Sequence, residues 1–173
     1  MIQNYITYRV LRLFFDSPTK GFQLREMSRL LKLGLPTVRN NARLLLKLGF
    51  LKKEKTGVYE RYFASGSDIY KIYKTNDVLI RIYESGLVEF LEKSFVPDAV
   101  ILFGSASRGE DAEASDIDLF LIAKERDIDL KKFEVSLKRK INMHFNEKVS
   151  KIPKELLNNL INGIVIYGFF KVF

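Results

Sequence analysis

Residues 99–123 constrain this chain more than any other stretch. They read Ala-Val-Ile-Leu-Phe-Gly-Ser-Ala-Ser-Arg-Gly-Glu, then Asp-Ala-Glu-Ala-Ser, then Asp-Ile-Asp-Leu-Phe-Leu-Ile-Ala. The continuous apolar run 100–103 predicts a buried strand. It ends at Gly104-Ser105, where a glycine lets backbone approach a ligand and the following amides and hydroxyl suit phosphate oxygens. A second strand begins at Asp116-Ile117-Asp118. Alternation along a strand puts Asp116 and Asp118 on one side, about 7 Å apart at their Cα atoms. Two carboxylates beside a phosphate-binding turn suit Mg²⁺, which takes hard oxygen ligands and shares them with substrate phosphates. A lone Asp-x-Asp is more often a solvated strand end. Strand, Gly-Ser turn and second strand in that order point to a site.

Gly104-Ser105, ten residues, then Asp116-x-Asp118 resembles the signature of the DNA polymerase β-like nucleotidyltransferases, above all the minimal prokaryotic members. Leu102-Phe103-Gly104-Ser105, Arg108-Gly109-Glu110 and Ser115-Asp116-Ile117-Asp118-Leu119 carry the match, and the resemblance covers about 67–173. It implies transfer of a nucleoside monophosphate from ATP or another NTP. Asp116 and Asp118 would be the catalytic, Mg²⁺-binding pair, with Gly104, Ser105 and Arg108 on the nucleotide. From the residues alone, Arg108 either faces the triphosphate or pairs with Glu110 or Asp111. Ser115 reads as a turn-stabilising hydroxyl.

Charge divides the chain. Residues 1–65 hold 13 Lys+Arg against 4 Asp+Glu, net +9; the remainder hold 16 against 17, net −1. A surplus confined to one end predicts a polyanion-binding module beside a neutral one. The absence of cysteine excludes a disulfide framework and thiolate metal sites. No apolar run reaches membrane-spanning length, and Met1-Ile2-Gln3-Asn4 lacks the basic start of a signal peptide, so a cytoplasmic protein without membrane association is expected.

Within the basic end, apolar spacing predicts helices over 2–15, 22–33 and 36–48. The second would bury Leu24, Met27, Leu30 and Leu31, and the third Val38, Leu45 and Leu48, with Pro36 in its first turn. Strands over 50–55 and 58–64 flank Thr56-Gly57 as a hairpin. Three helices and a hairpin resemble a winged helix-turn-helix domain over 1–65. That resemblance implies a third helix in the major groove of double-stranded DNA. Thr37, Arg39, Asn40 and Arg43 lie on its outer side, and Arg and Asn are types that read guanine and adenine edges. Lys52, Lys53, Lys55 and Arg61 would meet phosphates. The other use of such a domain is protein contact or dimerisation.

Beyond Gly66-Ser67, helices are predicted over 67–73 and 77–95, with Ile69, Ile72, Tyr73, Ile80, Tyr83, Leu87, Phe90 and Leu91 as apolar stripes. After the Asp-x-Asp strand come a helix over 130–140, a strand over 141–145, a helix over 153–160 and an apolar tail over 164–173. The tail would pack on the sheet or serve a dimer or partner surface. The basic run Lys138-Arg139-Lys140 suits the negative end of the helix dipole.

The expected architecture is therefore α+β. It comprises a winged helix-turn-helix (1–65), a helical connector (66–96) and an α/β nucleotidyltransferase-type domain with a small mixed sheet (97–173). One position departs from the family pattern. The resemblance implies a third carboxylate on the strand after Asp-x-Asp, and strand-on-strand alignment puts Asn142 there. An amide is no base and binds Mg²⁺ less well. His144, two residues on, or Glu147 would be the stand-ins. Two functions follow as expectations. The first is an Mg²⁺-dependent nucleotidyltransferase acting on a protein acceptor, antitoxin-like toward a HEPN-type toxin, and coupled to DNA binding. The second is a DNA-binding regulator, monomer or homodimer, whose second domain binds nucleotide or dimerises without turnover.

Overall fold

A computed structural model describes residues 5–171, whose contacts divide the chain into two compact units, Met1–Lys74 and Thr75–Phe173. In the first unit, α1 (Ile6–Asp16), α2 (Leu24–Leu31) and α3 (Leu35–Lys47) precede an antiparallel hairpin of β1 (Leu51–Thr56) and β2 (Tyr59–Ala64). Amphipathic spacing sets the core: Val10, Leu11, Phe14 and Phe15 of α1 meet Met27 of α2 and Val38, Ala42 and Leu45 of α3. Pro36 sits in the first turn of α3, where its missing N–H costs nothing. Helix α4 (Asp68–Glu84) contributes Tyr70 to this core, its hydroxyl donating to the Phe14 carbonyl at 2.6 Å.

Several expectations shift here. The start of the first helix at Ile2 lies outside the described residues. Phe22 is not helical; it forms an isolated antiparallel bridge with Tyr62, and α2 begins two residues later. Leu30 and Leu48 point outward, 55% and 52% exposed. Both sit at or near helix ends, where the chain turns off at Lys32 (φ 54°) and at Gly49, so the apolar stripe outruns the surface it packs on. Ala42 takes the inward place instead.

The segment expected as a connector is two helices broken elsewhere than predicted. Helix α4 runs unbroken through 74–76 and stops at Ser85-Gly86, with Gly86 left-handed (φ 76°), before α5 (Leu87–Phe95). Within α4 the buried apolar positions of the second unit are Val78 and Ile82, whereas Ile69, Ile72, Tyr73, Ile80 and Tyr83 are exposed.

The second unit is a four-stranded mixed sheet in the order β5-β4-β3-β6. Strand β3 (Ala99–Phe103) is buried throughout and pairs antiparallel with β4 (Ile117–Ile122) and β6 (Ile164–Gly168). Strand β5 (Ile141–Asn146) runs parallel to β4, which requires a crossover, made by α7 (Lys131–Leu137). One sheet face carries Val100, Leu102, Leu119 and Leu121 against Val78, Ile82, Leu91, Phe133 and Leu137. The other carries Ile101, Phe103, Phe120 and Ile122 against Leu160 of α8 (Lys154–Ile161) and Ile152. Helix α7 ends three residues earlier than the predicted 140, and the apolar tail is β6 with Phe170 packed beside it; Val172 and Phe173 lie outside the described residues. Among the described residues no helix is long and apolar enough to cross a membrane.

The inward and outward leucines of α3 separate packing from pattern. Leu45→Ala should cost about 2–5 kcal/mol, as for a fully buried leucine. Leu48→Ala should stay within about 0.5 kcal/mol. Urea unfolding of the two variants checks both; equal losses would place Leu48 in the core.

Candidate active site at the β3–β4–β5 edge

Sheet register gathers the candidate residues. Phe103 is paired with Asp118, and Asp118 with Asn142, so one row crosses three strands on the α8 side. Asp116 lies just before β4. Its Oδ2 accepts a hydrogen bond from Asn142 Nδ2 at 3.0 Å, and Asp118 Oδ1 accepts one from the same nitrogen at 3.3 Å. The two carboxylates thus converge on one point, as the Asp-x-Asp spacing predicts. Both are half-buried.

Gly104 follows β3 with φ 73°, a conformation that L side chains rarely adopt. A Cβ built there would collide with Asp118 Oδ2. The left-handed turn calls for glycine, and its lack of a Cβ leaves the Asp118 carboxylate where it lies. The chain turns through α6 (Gly104–Ser107), where Ser107 Oγ donates to the Gly104 carbonyl at 2.8 Å. The Ser105 hydroxyl is half-buried and has no hydrogen-bond partner among the described residues. Arg108 is exposed and pairs with Glu110 at 3.0 Å, the second of its two predicted roles. Ser115 accepts a hydrogen bond from the Ala112 amide at 2.8 Å, the turn role expected of it.

The residue that sequence reasoning missed is Arg139. The helix before it ends at Leu137, and Lys138 turns left-handed (φ 56°), directing the guanidinium into the loop that precedes β4. There it donates to the carbonyls of Ser115 (2.7 Å) and Asp116 (2.9 Å) and pairs with the buried carboxylate of Asp111 (2.9 Å). Its role is to fix the backbone that presents Asp116, not to complement a helix dipole. Lys140 pairs instead with Glu134 at 3.4 Å. No local pattern links Asp111 to Arg139; only the crossover brings them together.

His144 shares the face of Asn142, exposed, with its ring edge-on to Phe103 at 5.4 Å and no hydrogen bond to the described residues. Glu147 follows the last residue of β5 and does not join the row. Among the described residues no group of three or more His, Cys, Asp or Glu converges on a metal site. The two carboxylates still fit Mg²⁺, which commonly takes one or two protein carboxylates and completes its shell with water and substrate phosphate.

In the first unit, Arg39, Asn40 and Arg43 are exposed on α3 and Thr37 is half-buried. On the hairpin Lys53 is paired with Glu60 (2.9 Å) and Lys52 with Glu54 (2.9 Å), whereas Lys55 is exposed, with no ion pair among the described residues. Arg61 reaches back to the Gly21 carbonyl at 3.1 Å.

Removing a buried guanidinium leaves the Asp111 charge and two carbonyls without it. Arg139→Ala should cost about 3–5 kcal/mol, and Arg139→Lys should recover only part, because one ammonium cannot reproduce three directed bonds. Denaturant melts check the order wild type, Lys, Ala; a lysine variant as stable as wild type would show that charge alone suffices.

Residues 86–168 match the family model described as Polymerase beta, Nucleotidyltransferase. No curated protein matches the chain. The matched span runs from the start of α5 through β6, enclosing the Gly104-Ser105 turn, both aspartates and Asn142. The match to a nucleotidyltransferase domain thus lies within the second unit.

Proposed function

We propose that the chain is an Mg²⁺-dependent nucleotidyltransferase, passing AMP from ATP to a protein acceptor, and that residues 1–65 are a winged helix-turn-helix that binds double-stranded DNA. The observation that carries the first half is the convergence of Asp116 and Asp118 on one point beside the Gly104-Ser105 turn. Asp116 and Asp118 would hold Mg²⁺, which would supply neutralisation of charge on the phosphates. The Ser105 hydroxyl holds a phosphate oxygen of the triphosphate, beside the Asp118 carboxylate for which Gly104 leaves room. An acceptor oxygen forms its bond to the α-phosphorus as the bond to the pyrophosphate oxygen breaks. The acceptor's proton needs a base, and Asn142 is not one. His144 stands on the same face with its ring nitrogens free of hydrogen bonds to the described residues and can take that proton.

The DNA half rests on the charge surplus of 1–65 and on exposed Arg39, Asn40, Arg43 and Lys55. Lys53 would exchange Glu60 for a phosphate. A protein acceptor of the HEPN-toxin kind, an antitoxin role and a cytoplasmic setting are parts of the same proposal and rest on resemblance. A second reading is favoured by one residue. With Asn142 in the place of the third carboxylate, the domain would bind nucleotide or dimerise without turnover, and the protein would be a DNA-binding regulator.

Incubation with α-labelled ATP, Mg²⁺ and cell extract separates the readings. Label transferred to a protein by wild type and lost in Asp116→Ala/Asp118→Ala supports the enzyme; nucleotide binding without transfer supports the regulator. In calorimetry the double variant should lose Mg²⁺-dependent ATP binding while keeping its fold, since facing like charges serve an ion more than stability. Unchanged affinity would remove the site.

Duplex binding by the full chain should fall steeply with salt through counterion release. Arg39→Ala should reduce sequence preference, and Lys55→Ala should weaken all duplexes alike. No affinity for any duplex at low salt would make the first unit a protein-contact module.

A further inference from the structure

The Asn142 amide does more than fill a vacated position. Its one nitrogen carries two hydrogens and donates to Asp116 Oδ2 at 3.0 Å and to Asp118 Oδ1 at 3.3 Å. An amide N–H pair is the positively polarised end of the side chain. It therefore sits between two anionic oxygens, where a cation would otherwise draw them together. We infer that Asn142 is a gate on the metal site: its amide bridges the aspartates when no cation is present and competes with free Mg²⁺ for the same oxygens. This rests on the nucleotide-binding reading above but asks a separate question, namely what the amide does to metal binding.

The geometry sets out how the gate opens. Asn142 is exposed, on a strand whose one neighbour among the described residues is β4. Rotation of its side chain breaks those two hydrogen bonds and meets open solvent. Turning the amide over replaces two donors with a carbonyl oxygen, a ligand type that Mg²⁺ accepts. Free Mg²⁺ must displace the two hydrogen bonds with only two carboxylates in return. Mg²⁺ arriving on a triphosphate brings phosphate oxygens as well, so the cation enters with its nucleotide and poorly without it. Metal and nucleotide binding become positively coupled, a coupling that in proteins commonly reaches roughly 5–150-fold. A carboxylate at 142 would lack this property, because it attracts free cations instead of excluding them.

Alanine discriminates between a gate and a merely absent ligand. If Asn142 only fails to coordinate, Asn142→Ala should bind a free divalent cation no better than wild type. If it gates, Asn142→Ala should bind it more tightly, because two competing hydrogen bonds are gone. Mn²⁺ titrated into the full-length protein without nucleotide, followed by the loss of its free electron paramagnetic resonance signal, measures this directly. The expected order of affinity is Asn142→Asp, then Asn142→Ala, then wild type, with alanine at least several-fold above wild type. Alanine equal to or weaker than wild type would overturn the gate.

A second measurement keeps the two proposals apart. The Asn142 side-chain ¹⁵N–¹H pair, assigned by its loss in Asn142→Ala, should move when Mg²⁺ and α,β-methylene-ATP are added together, and much less with Mg²⁺ alone. A pair that stays fixed while other resonances of the site report binding overturns the gate and leaves nucleotide binding standing. No response anywhere, with no Mn²⁺ bound by wild type or either variant, overturns both.

Discussion

Everything at the candidate site depends on β4 lying between an antiparallel and a parallel neighbour in one register. Phe103, Asp118 and Asn142 share a row because β3 and β5 are each locked to β4 by backbone hydrogen bonds. A slip of one residue in β4 would send Asp118 into the apolar face occupied by Leu119 and Leu121, and put Ile117 or Leu119 in its place beside Gly104. That face holds the slip in check: Ile117, Leu119 and Leu121 are buried against α5 and α7, so the misregistered state would bury a carboxylate without a partner. The position of the polar residues is thus enforced by the apolar ones on the opposite side.

A second constraint acts on the loop before β4. Asp116 is outside the strand, so sheet hydrogen bonding does not place it. Arg139 does, by holding the Ser115 and Asp116 carbonyls and the Asp111 carboxylate together. Since Arg139 directly precedes Lys140 and β5, the same short segment positions the loop and delivers Asn142 two residues into the strand. The crossover through α7 therefore has a chemical role as well as a topological one.

The chain's local grammar carried much of this. The apolar run 100–103, the glycine that ends it and the Asp-x-Asp alternation each state a backbone conformation within a few residues, and each is realised with its partners. Strand-on-strand alignment also put Asn142 beside the aspartates, because two parallel strands starting at Ile117 and Ile141 leave little choice of register. What stayed hidden was set by tertiary contacts. Asp111 and Arg139 meet only through the crossover, and periodicity misjudged Leu30 and Leu48 because an apolar residue at a helix end has no element left to pack on. The break between α4 and α5 falls at Gly86, whose left-handed backbone ends a helix, where periodicity alone had suggested 74–76.

The pairing of β3 with β6 bears on how the sheet comes into being on the ribosome. Ala-Val-Ile-Leu-Phe at 99–103 is the most apolar strand, fully buried in the finished sheet. Residues 117–122 soon follow to cover one of its edges, but the other waits for residues 164–168. In the interval the nascent chain carries a short, uncharged, strand-prone segment with an open row of amides and carbonyls, the kind of edge that recruits foreign strands. Helices α4 and α5 have by then already emerged and can cover its face, though not its border. The vulnerable stage of this protein's life is therefore its synthesis, in the stretch of time between two strands that end up side by side.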